Sequence, residues 1–381
     1  MSAPQIHGSV AEGFEPVRDR FAAHFALPEA YREIGASLAV YRHGECVVDL
    51  WGGHADRART RAWQRDTLVN LWSTTKGVTA MAVALLVDRG ALRYEDYVAG
   101  FWPEFAAAGK SGVTVAHILS HQAGLPGFAE PICLDDLYDQ ALCADRLARQ
   151  APLWEPGTAN GYHSITYGVL AAEIVRRIDG RPIAPFIAEE LAGPAGADFH
   201  LGLPIALEPK RAEIVPPDEP VDLEAIELNP AMRLSLQSPQ MDPHRPNRPD
   251  WRRAALPAMN GHGSAQGLAR LYAALLSGKL VSDATLDAMT RIAADRTDLV
   301  IGFNPQWGMG VLSNGSGALG PVPTAFGHGG WGGSVGCADR GTGIAIGYAP
   351  NHMGPELVGD PRPTDLCTAV FDCVREGAAS G

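Results

Sequence analysis

Hydrophobic residues recur at helical spacing near the start of this chain and then in strand-like runs. An amphipathic helix is expected first, because one helical face carries Phe14, Val17, Phe21 and Phe25. Two apolar runs follow, at 36–41 and 46–51, and the short turn Arg-His-Gly-Glu at 42–45 separates them. This arrangement predicts a β-hairpin.

A second helical pattern begins at Ser73. The positions that share its apolar face are Val78, Met81, Ala82, Leu85 and Leu86. Gly90 follows the last turn and is typical of a helix end. The sequence therefore predicts a buried helix that opens at Ser73.

The rest of the chain changes character twice. Helical patterns dominate from about 94 to 178, whereas prolines recur at short intervals between 204 and 257. Such prolines predict long surface loops and make regular elements unlikely. A further helix then leads to glycine-rich strands around 308–312, 334–338 and 342–348, and an amphipathic helix comes last.

Strands at both ends of the chain, with helices between them, predict one sheet assembled from the two ends and an inserted helical domain. On this hypothesis, residues 1–90 and 255–381 form a discontinuous α/β sandwich domain, and residues 91–254 form a mostly helical domain with proline-rich loops. A chain of 381 residues is long enough to bury a core of this size.

Charge limits the partners of the chain. The net charge is -12 and the isoelectric point is about 5.4, which argues against nucleic acid or an anionic membrane as a partner. A small neutral molecule is a better match. The composition gives no prediction of the oligomeric state.

The cysteines and the N-terminal residues indicate the compartment. Six cysteines are scattered without a Cys-x-x-Cys pair, so free thiols are expected rather than a zinc site or a disulfide framework. Residues 1–12 lack a basic start followed by an apolar stretch, and the longest apolar runs, such as 81–87, are too short to span a bilayer. We therefore expect a cytoplasmic protein.

Lysine is rare in this chain, and one lysine lies three residues after a serine. Only four of the 31 cationic residues are lysines, and Lys76 follows Ser73 at helical i, i+3 spacing. Side chains at this spacing share a face, and lysine, unlike arginine, can lose its proton. The spacing favours a nucleophile beside its base. The alternative interpretation is that Ser73 only caps the helix.

Two further segments give this pair a context. They are Trp-Glu-Pro-Gly-Thr at 154–158, followed by Tyr162-His163-Ser164, and Phe-Gly-His-Gly-Gly-Trp-Gly-Gly at 326–333. With the Ser73 motif in the same order, they resemble the serine β-lactamase and penicillin-binding-protein superfamily, specifically class C-like enzymes and the family VIII carboxylesterases. The resemblance extends to 113–126 and 261–270, and covers most of the chain outside the proline-rich stretch.

The resemblance implies an antiparallel sheet flanked by helices and roles for several residues. Tyr162 takes the place of a second acid/base, although an aromatic core residue is the alternative interpretation, and Ser164 would be a hydrogen-bond donor lining the site. The backbone N–H groups of Ser73 and Trp331 would form the oxyanion hole.

The third motif departs from the family's pattern. His328-Gly329-Gly330 stands where β-lactam enzymes have a Lys-Thr-Gly motif, whose lysine helps to hold the substrate's carboxylate. Histidine is mostly neutral at pH 7, so these substrate-binding residues favour neutral esters over anionic β-lactams.

Other signals are weaker. The pattern Gly-x-Ser-x-Gly at 332–336 fits α/β-hydrolases. That motif needs a strand-turn-helix setting with Asp and His later in the chain, whereas here another strand-like run follows the serine. His117 and His121 lie four residues apart, yet no third metal ligand is evident, and packing or hydrogen bonding is the preferred interpretation. No phosphate-binding loop occurs, and we expect neither cofactor nor metal.

The sequence therefore predicts a serine hydrolase of short-chain carboxylic esters that uses a Ser73 acyl-enzyme, with Lys76 and Tyr162 as acid/base. Two alternatives remain. One is a β-lactamase, D-aminopeptidase or linear-amide hydrolase on the same site, and the other is a non-catalytic descendant that binds a ligand.

Overall fold

The strands form two sheets in the computed structural model, which describes residues 5–219 and 221–379. The strands of the described residues are β1 (Ile6–Val10), β2 (Gly35–Arg42), β3 (Glu45–Gly53), β4 (Val69–Asn70), β5 (Phe199–Leu201), β6 (Gly261–Gly263), β7 (Leu312–Ser313), β8 (Phe326–Gly329), β9 (Val335–Asp339) and β10 (Ile344–Pro350). The main sheet has the order β1-β3-β2-β10-β9-β8-β7, and a small sheet has the order β4-β6-β5.

Strands from the two ends of the chain meet in the middle of the main sheet. β2 pairs with its hairpin partner β3 on one side and with β10 on the other, and all pairs in this sheet are antiparallel. In the β2–β10 ladder, Ala36 lies opposite Pro350 and Arg42 lies opposite Ile344. The predicted α/β class with an antiparallel sheet is confirmed.

Helices lie against both faces of this sheet. In chain order, the α-helices of the described residues are α1 (Glu15–His24), α2 (Thr75–Asp88), α3 (Val115–Leu119), α4 (Gln140–Arg149), α5 (Thr166–Asp179), α6 (Ile183–Ile187), α7 (Gly193–Ala195), α8 (Pro230–Gln237), α9 (Pro249–Arg253), α10 (Ala265–Leu276), α11 (Asp283–Thr290) and α12 (Pro361–Ala379). Helices α1 and α12 lie against one face of the sheet, and α2 and α10 lie against the other. Among the described residues, no helix combines the length and the apolar character that a membrane crossing requires.

The alternation of side chains along β2 divides the core into two parts. Leu38 and Val40 join the cluster beneath α1 and α12, whereas Ala39 and Tyr41 join the larger cluster that contains α2 and α10. Within that larger cluster, every residue of α2 from Thr75 to Leu86 is buried. The helix that follows Ser73 is therefore fixed by packing on all sides.

Two local predictions were wrong. α8 and α9 form inside the proline-rich stretch, because Pro230 and Pro249 occupy first-turn positions, where a proline lacks only an N–H that has no helical partner. Around 308–312, the strand is limited to Leu312–Ser313, because the chain turns at Gly310 with φ of +79°.

Candidate active site

Ser73 lies in a strained turn at the start of α2. It occupies a short 3₁₀ turn, Trp72–Thr74, and the α-helix itself begins at Thr75. Trp72 has φ of +45°, a left-handed conformation that costs free energy in a residue with a side chain. Its ring packs on Trp251 and Trp331, with centroid distances of 5.7 and 4.9 Å. These contacts hold the turn that presents Ser73.

Lys76 is completely buried next to Ser73. Its Nζ lies 3.1 Å from Ser73 Oγ, 2.7 Å from the carbonyl oxygen of Ser164 and 3.0 Å from that of Ala258. Burial lowers the pKa of the Lys76 amine well below its ordinary value. A neutral amine donates its two N–H groups to the two carbonyls, and its lone pair then faces the Ser73 hydroxyl.

The Tyr162 ring completes this group. It lies half-buried just before α5, with its centroid 4.9 Å from Lys76 Nζ, and it stacks on Trp307 at 5.8 Å with an angle of 10° between the rings. Desolvation raises the pKa of the Tyr162 phenol, and a hydrogen bond with Ser73 opposes this effect only in part. The phenol is therefore protonated at neutral pH.

The turn that carries Trp331 is tied directly to the turn that carries Ser73. Ser334 Oγ donates to the carbonyl oxygen of Leu71 at 2.8 Å, and Thr74 Oγ1 donates to the carbonyl oxygen of Ser334 at 3.1 Å. A Cβ at Gly330 would collide with the Leu71 carbonyl oxygen. The close approach of the two backbones therefore requires glycine at this position.

Ser334 is the serine of the Gly-x-Ser-x-Gly pattern. It is buried in the turn between β8 and β9, so the pattern lies in a strand-turn-strand setting, and its hydroxyl is bonded as described above. This agrees with the rejection of an α/β-hydrolase site, which needs a helix after the serine. The contacts of Ser334 stabilise the turns of the candidate site, and they give no reason to regard Ser334 as a nucleophile.

His328 carries no charge at neutral pH. Its Nδ1 lies 2.7 Å from the carbonyl oxygen of Gly329, so Nδ1 is the protonated nitrogen. Burial lowers the pKa of His328 to about 3, with a further contribution from nearby Lys76. The ring stacks on Trp307 at 5.9 Å. The third motif thus supplies an aromatic wall and no cation.

Ser73 lines two adjoining cavities. The larger one has a volume of about 540 Å³ and the smaller one about 170 Å³, and both are lined by Ser73, Tyr162 and Trp331. Gly329 and Gly330 line the smaller cavity, together with His328. Ser164 lines the larger one, and its hydroxyl donates to the carbonyl oxygen of Ser235.

Asp298 organises the loops around Tyr162. Its buried carboxylate accepts five hydrogen bonds, from Tyr162 N (2.9 Å), Val300 N (2.9 Å), Ile301 N (3.2 Å), Asn160 Nδ2 (3.0 Å) and Trp307 Nε1 (3.1 Å). This residue could not be predicted from the sequence, because a single aspartate in a loop has no spacing signal. The hydrogen-bond partners of Asp298 come together only in the tertiary structure.

The two histidines at helical spacing serve different structural roles. His117 completes the cap of α3, where its Nδ1 accepts from Thr114 N at 3.3 Å. His121 Nδ1 accepts from His163 N at 3.1 Å, and its ring packs against Trp307. Within residues 5–219 and 221–379, no group of three His, Cys, Asp or Glu side chains is arranged to hold a metal ion.

Comparison with known proteins gives consistent matches along the chain. Residues 20–367 match the family model described as Beta-lactamase. The esterase/beta-lactamase LipL of Mycobacterium tuberculosis is 34% identical, with 98% of this chain and 89% of LipL aligned. Esterase EstB of Burkholderia gladioli is 31% identical, with 83% of this chain and 85% of EstB aligned.

A solved structure agrees with these matches. The crystal structure of a family VIII carboxylesterase superposes with a TM-score of 0.91 at 42% identity, covering 97% of this chain and 100% of that one. The family model and both relatives span most of the sequence. The chain therefore belongs to the beta-lactamase family.

Proposed function

We propose that this protein is a serine carboxylesterase in which Ser73 is the nucleophile. The observation that carries the proposal is the buried Lys76 amine, 3.1 Å from Ser73 Oγ and with a lowered pKa. A hydroxyl is a weak nucleophile until a neighbouring base takes its proton. The names of the relatives, an esterase/beta-lactamase, an esterase and a family VIII carboxylesterase, are consistent with this chemistry.

Acylation transfers the acyl group to Ser73. Lys76 takes the Ser73 proton as Oγ bonds to the ester carbonyl carbon, and the carbonyl oxygen becomes an oxyanion. The backbone N–H groups of Ser73 and Trp331 receive this charge; loss of one such donor in related chemistry costs about 2.7–4 kcal/mol. The carbon–alkoxy bond then breaks, and the departing alcohol receives the proton from the Lys76–Tyr162 pair.

Deacylation uses water in the same geometry. The Lys76–Tyr162 pair accepts a water proton as the water oxygen bonds to the acyl carbon, and the bond from that carbon to Ser73 Oγ breaks. Ser73 then regains its proton. The sum is one ester and one water converted into one carboxylic acid and one alcohol. Tyr162 acts as a protonated phenol in both steps, because burial raises its pKa.

The charge of the site favours neutral esters. Among the described residues lining the two cavities, the charged side chains are Glu356 and Asp360, and Asp360 is already paired with Arg362. A β-lactam carboxylate would enter this site without a counter-ion, and desolvation of an unpaired charge is costly. β-Lactam hydrolysis is a second candidate, since LipL is named for both activities.

The test compares two substrates on one preparation. We expect kcat/KM for p-nitrophenyl butyrate to exceed that for a chromogenic cephalosporin by at least a hundredfold, and both activities to depend on Ser73. Ser73→Ala should lower kcat by about 10⁴-fold or more, because loss of the nucleophile removes the covalent route. Equal or faster cephalosporin turnover would make the protein a β-lactamase, and near-normal ester turnover by Ser73→Ala would refute the proposed site.

A further inference from the structure

The larger cavity beside Ser73 has room for much more than a short acyl chain. Its volume of about 540 Å³ falls in the range of about 300–1,000 Å³ that is typical of sites for drug-sized ligands. The second cavity that Ser73 lines measures about 170 Å³. The two spaces differ about threefold in volume. The groups on the two sides of the scissile bond are therefore expected to differ in size.

The wall of the larger cavity is largely apolar, and the proline-rich stretch forms a large part of it. Segment 221–243 supplies nearly half of the lining residues, including Leu223, Ile226, Leu228, Met232, Leu236 and Met241. Ile226 and Val358 line the cavity while remaining 47% and 49% exposed, which places them at its rim. Apolar side chains exposed together around a cavity mark a binding site for an apolar partner.

Two serine hydroxyls in this wall are hydrogen-bonded to backbone carbonyl groups. The hydroxyl of Ser164 donates to the Ser235 carbonyl oxygen, and the hydroxyl of Ser235 donates to the Tyr162 carbonyl oxygen at 2.6 Å. Glu356 accepts the hydroxyl of Tyr31, and it is the one charged side chain among the described residues that line this cavity. The wall therefore offers no cation to an anionic group.

We propose that the substrate is an ester with a bulky, neutral apolar group larger than a butyl chain, and that this group binds in the larger cavity. The inference rests on the proposed esterase function and names its substrate class. It differs from the short-chain preference expected from the sequence. Each methylene moved from water into an apolar site contributes about 0.8 kcal/mol, or about fourfold in kcat/KM.

The experiment varies one side of the ester at a time. One arm uses p-nitrophenyl acetate, butyrate and octanoate, in which only the acyl chain changes. The other arm uses ethyl, butyl and octyl acetate, in which only the alcohol changes. Hydrolysis of these esters is measured through the acid that it releases. All are used below their micelle-forming concentrations. We expect kcat/KM to rise at least tenfold from the four-carbon to the eight-carbon ester in one arm.

Two variants connect the preference to the cavity. Leu228→Trp fills part of it and should lower the eight-carbon to four-carbon ratio of kcat/KM by at least tenfold. Glu224→Trp is the matched control, because Glu224 is exposed on the same segment and does not line the cavity; its ratio should stay within twofold of the parent. If Leu228→Trp does not fold, Ile226→Trp at the exposed rim replaces it.

The outcomes separate the two proposals. A rise in either arm that Leu228→Trp removes supports the inference and shows which side of the ester occupies the cavity. Ester hydrolysis that needs Ser73 but is flat or falling with chain length in both arms overturns the inference and leaves the esterase proposal standing. Absence of any Ser73-dependent ester hydrolysis overturns the esterase proposal itself.

Discussion

Lys76 Nζ lies 3.1 Å from Ser73 Oγ and also contacts two backbone carbonyls, those of Ser164 and Ala258. These three partners come from three separate parts of the chain, so the position of the amine is set by the fold and not by α2 alone. Because its two N–H groups match the two carbonyls, the neutral amine directs its lone pair at the nucleophile.

Replacing Lys76 by methionine should remove the base while keeping an unbranched side chain. We expect kcat for p-nitrophenyl butyrate to fall about 10²–10⁴-fold, the usual contribution of a positioned base. Lys110→Met is the matched control, because Lys110 is also buried and donates to backbone carbonyls, those of Ala107 and Gln150. Equal losses in the two variants would contradict a specific role for Lys76.

The pH profile should show one acidic limb that belongs to Lys76. The free amine is required, so kcat/KM should fall tenfold per unit as pH drops below the lowered pKa of Lys76. Burial lowers the pKa of His163 to about 4 and that of His328 to about 3, so neither histidine titrates between pH 5 and 8. The profile is obtained by measuring kcat/KM from pH 5 to 9. If the acidic limb persists unchanged in Lys76→Met, the limb belongs to another group.

Asp298→Asn should disturb the loops that hold Tyr162 and Trp307. The two carboxylate oxygens of Asp298 accept from five N–H groups, whereas an amide has one acceptor oxygen. Some of these buried donors therefore lose their partner in Asp298→Asn. We expect a fall in kcat/KM of at least tenfold and a lower melting temperature. Asp295→Asn is the control, because Asp295 is exposed and contacts only side chains in the described bonds. Parent-like values for Asp298→Asn would show that the charge is dispensable.

Ser334→Ala should loosen the connection between the Trp331 turn and the Ser73 turn. The hydrogen bond to the Leu71 carbonyl is lost, so the backbone N–H groups proposed as oxyanion donors would be held less firmly. We expect kcat to fall at least tenfold with KM nearly unchanged, the signature of an interaction made in the transition state. Ser277→Ala, at an exposed helix end, is the control. A rise in KM without a change in kcat would argue for a role in binding instead.

Local patterns predicted the parts of the fold that depend on local contacts. The hairpin of β2 and β3 and the helix after Ser73 follow from spacing within one segment, and so does the side-by-side placement of Ser73 and Lys76. The conformation of Trp72 does not. A tryptophan rarely has a positive φ, and the contacts that stabilise it come from Trp251 and Trp331, far away in the sequence.

Long-range contacts account for the rest of the site. Asp298 meets Tyr162 across 136 positions, and Ser334 meets Leu71 across 263. Neither pair has a spacing that a single sequence could reveal. The prolines of the proline-rich stretch predicted loops and gave no sign of α8 and α9. Its role as an apolar cavity wall depends on which of its side chains point toward the cavity beside Ser73. That orientation is a property of the tertiary structure.

The most direct test of the account is to identify the residue that forms the covalent intermediate. The protein is incubated with a p-nitrophenyl alkylphosphonate, and intact-mass and peptide mass spectrometry then locate the adduct. We expect one phosphonyl group per chain, on Ser73, with activity lost in parallel and no adduct in Ser73→Ala. An adduct on Ser334 would contradict the central claim. So would full ester hydrolysis by protein that was exposed to the phosphonate and carries no adduct.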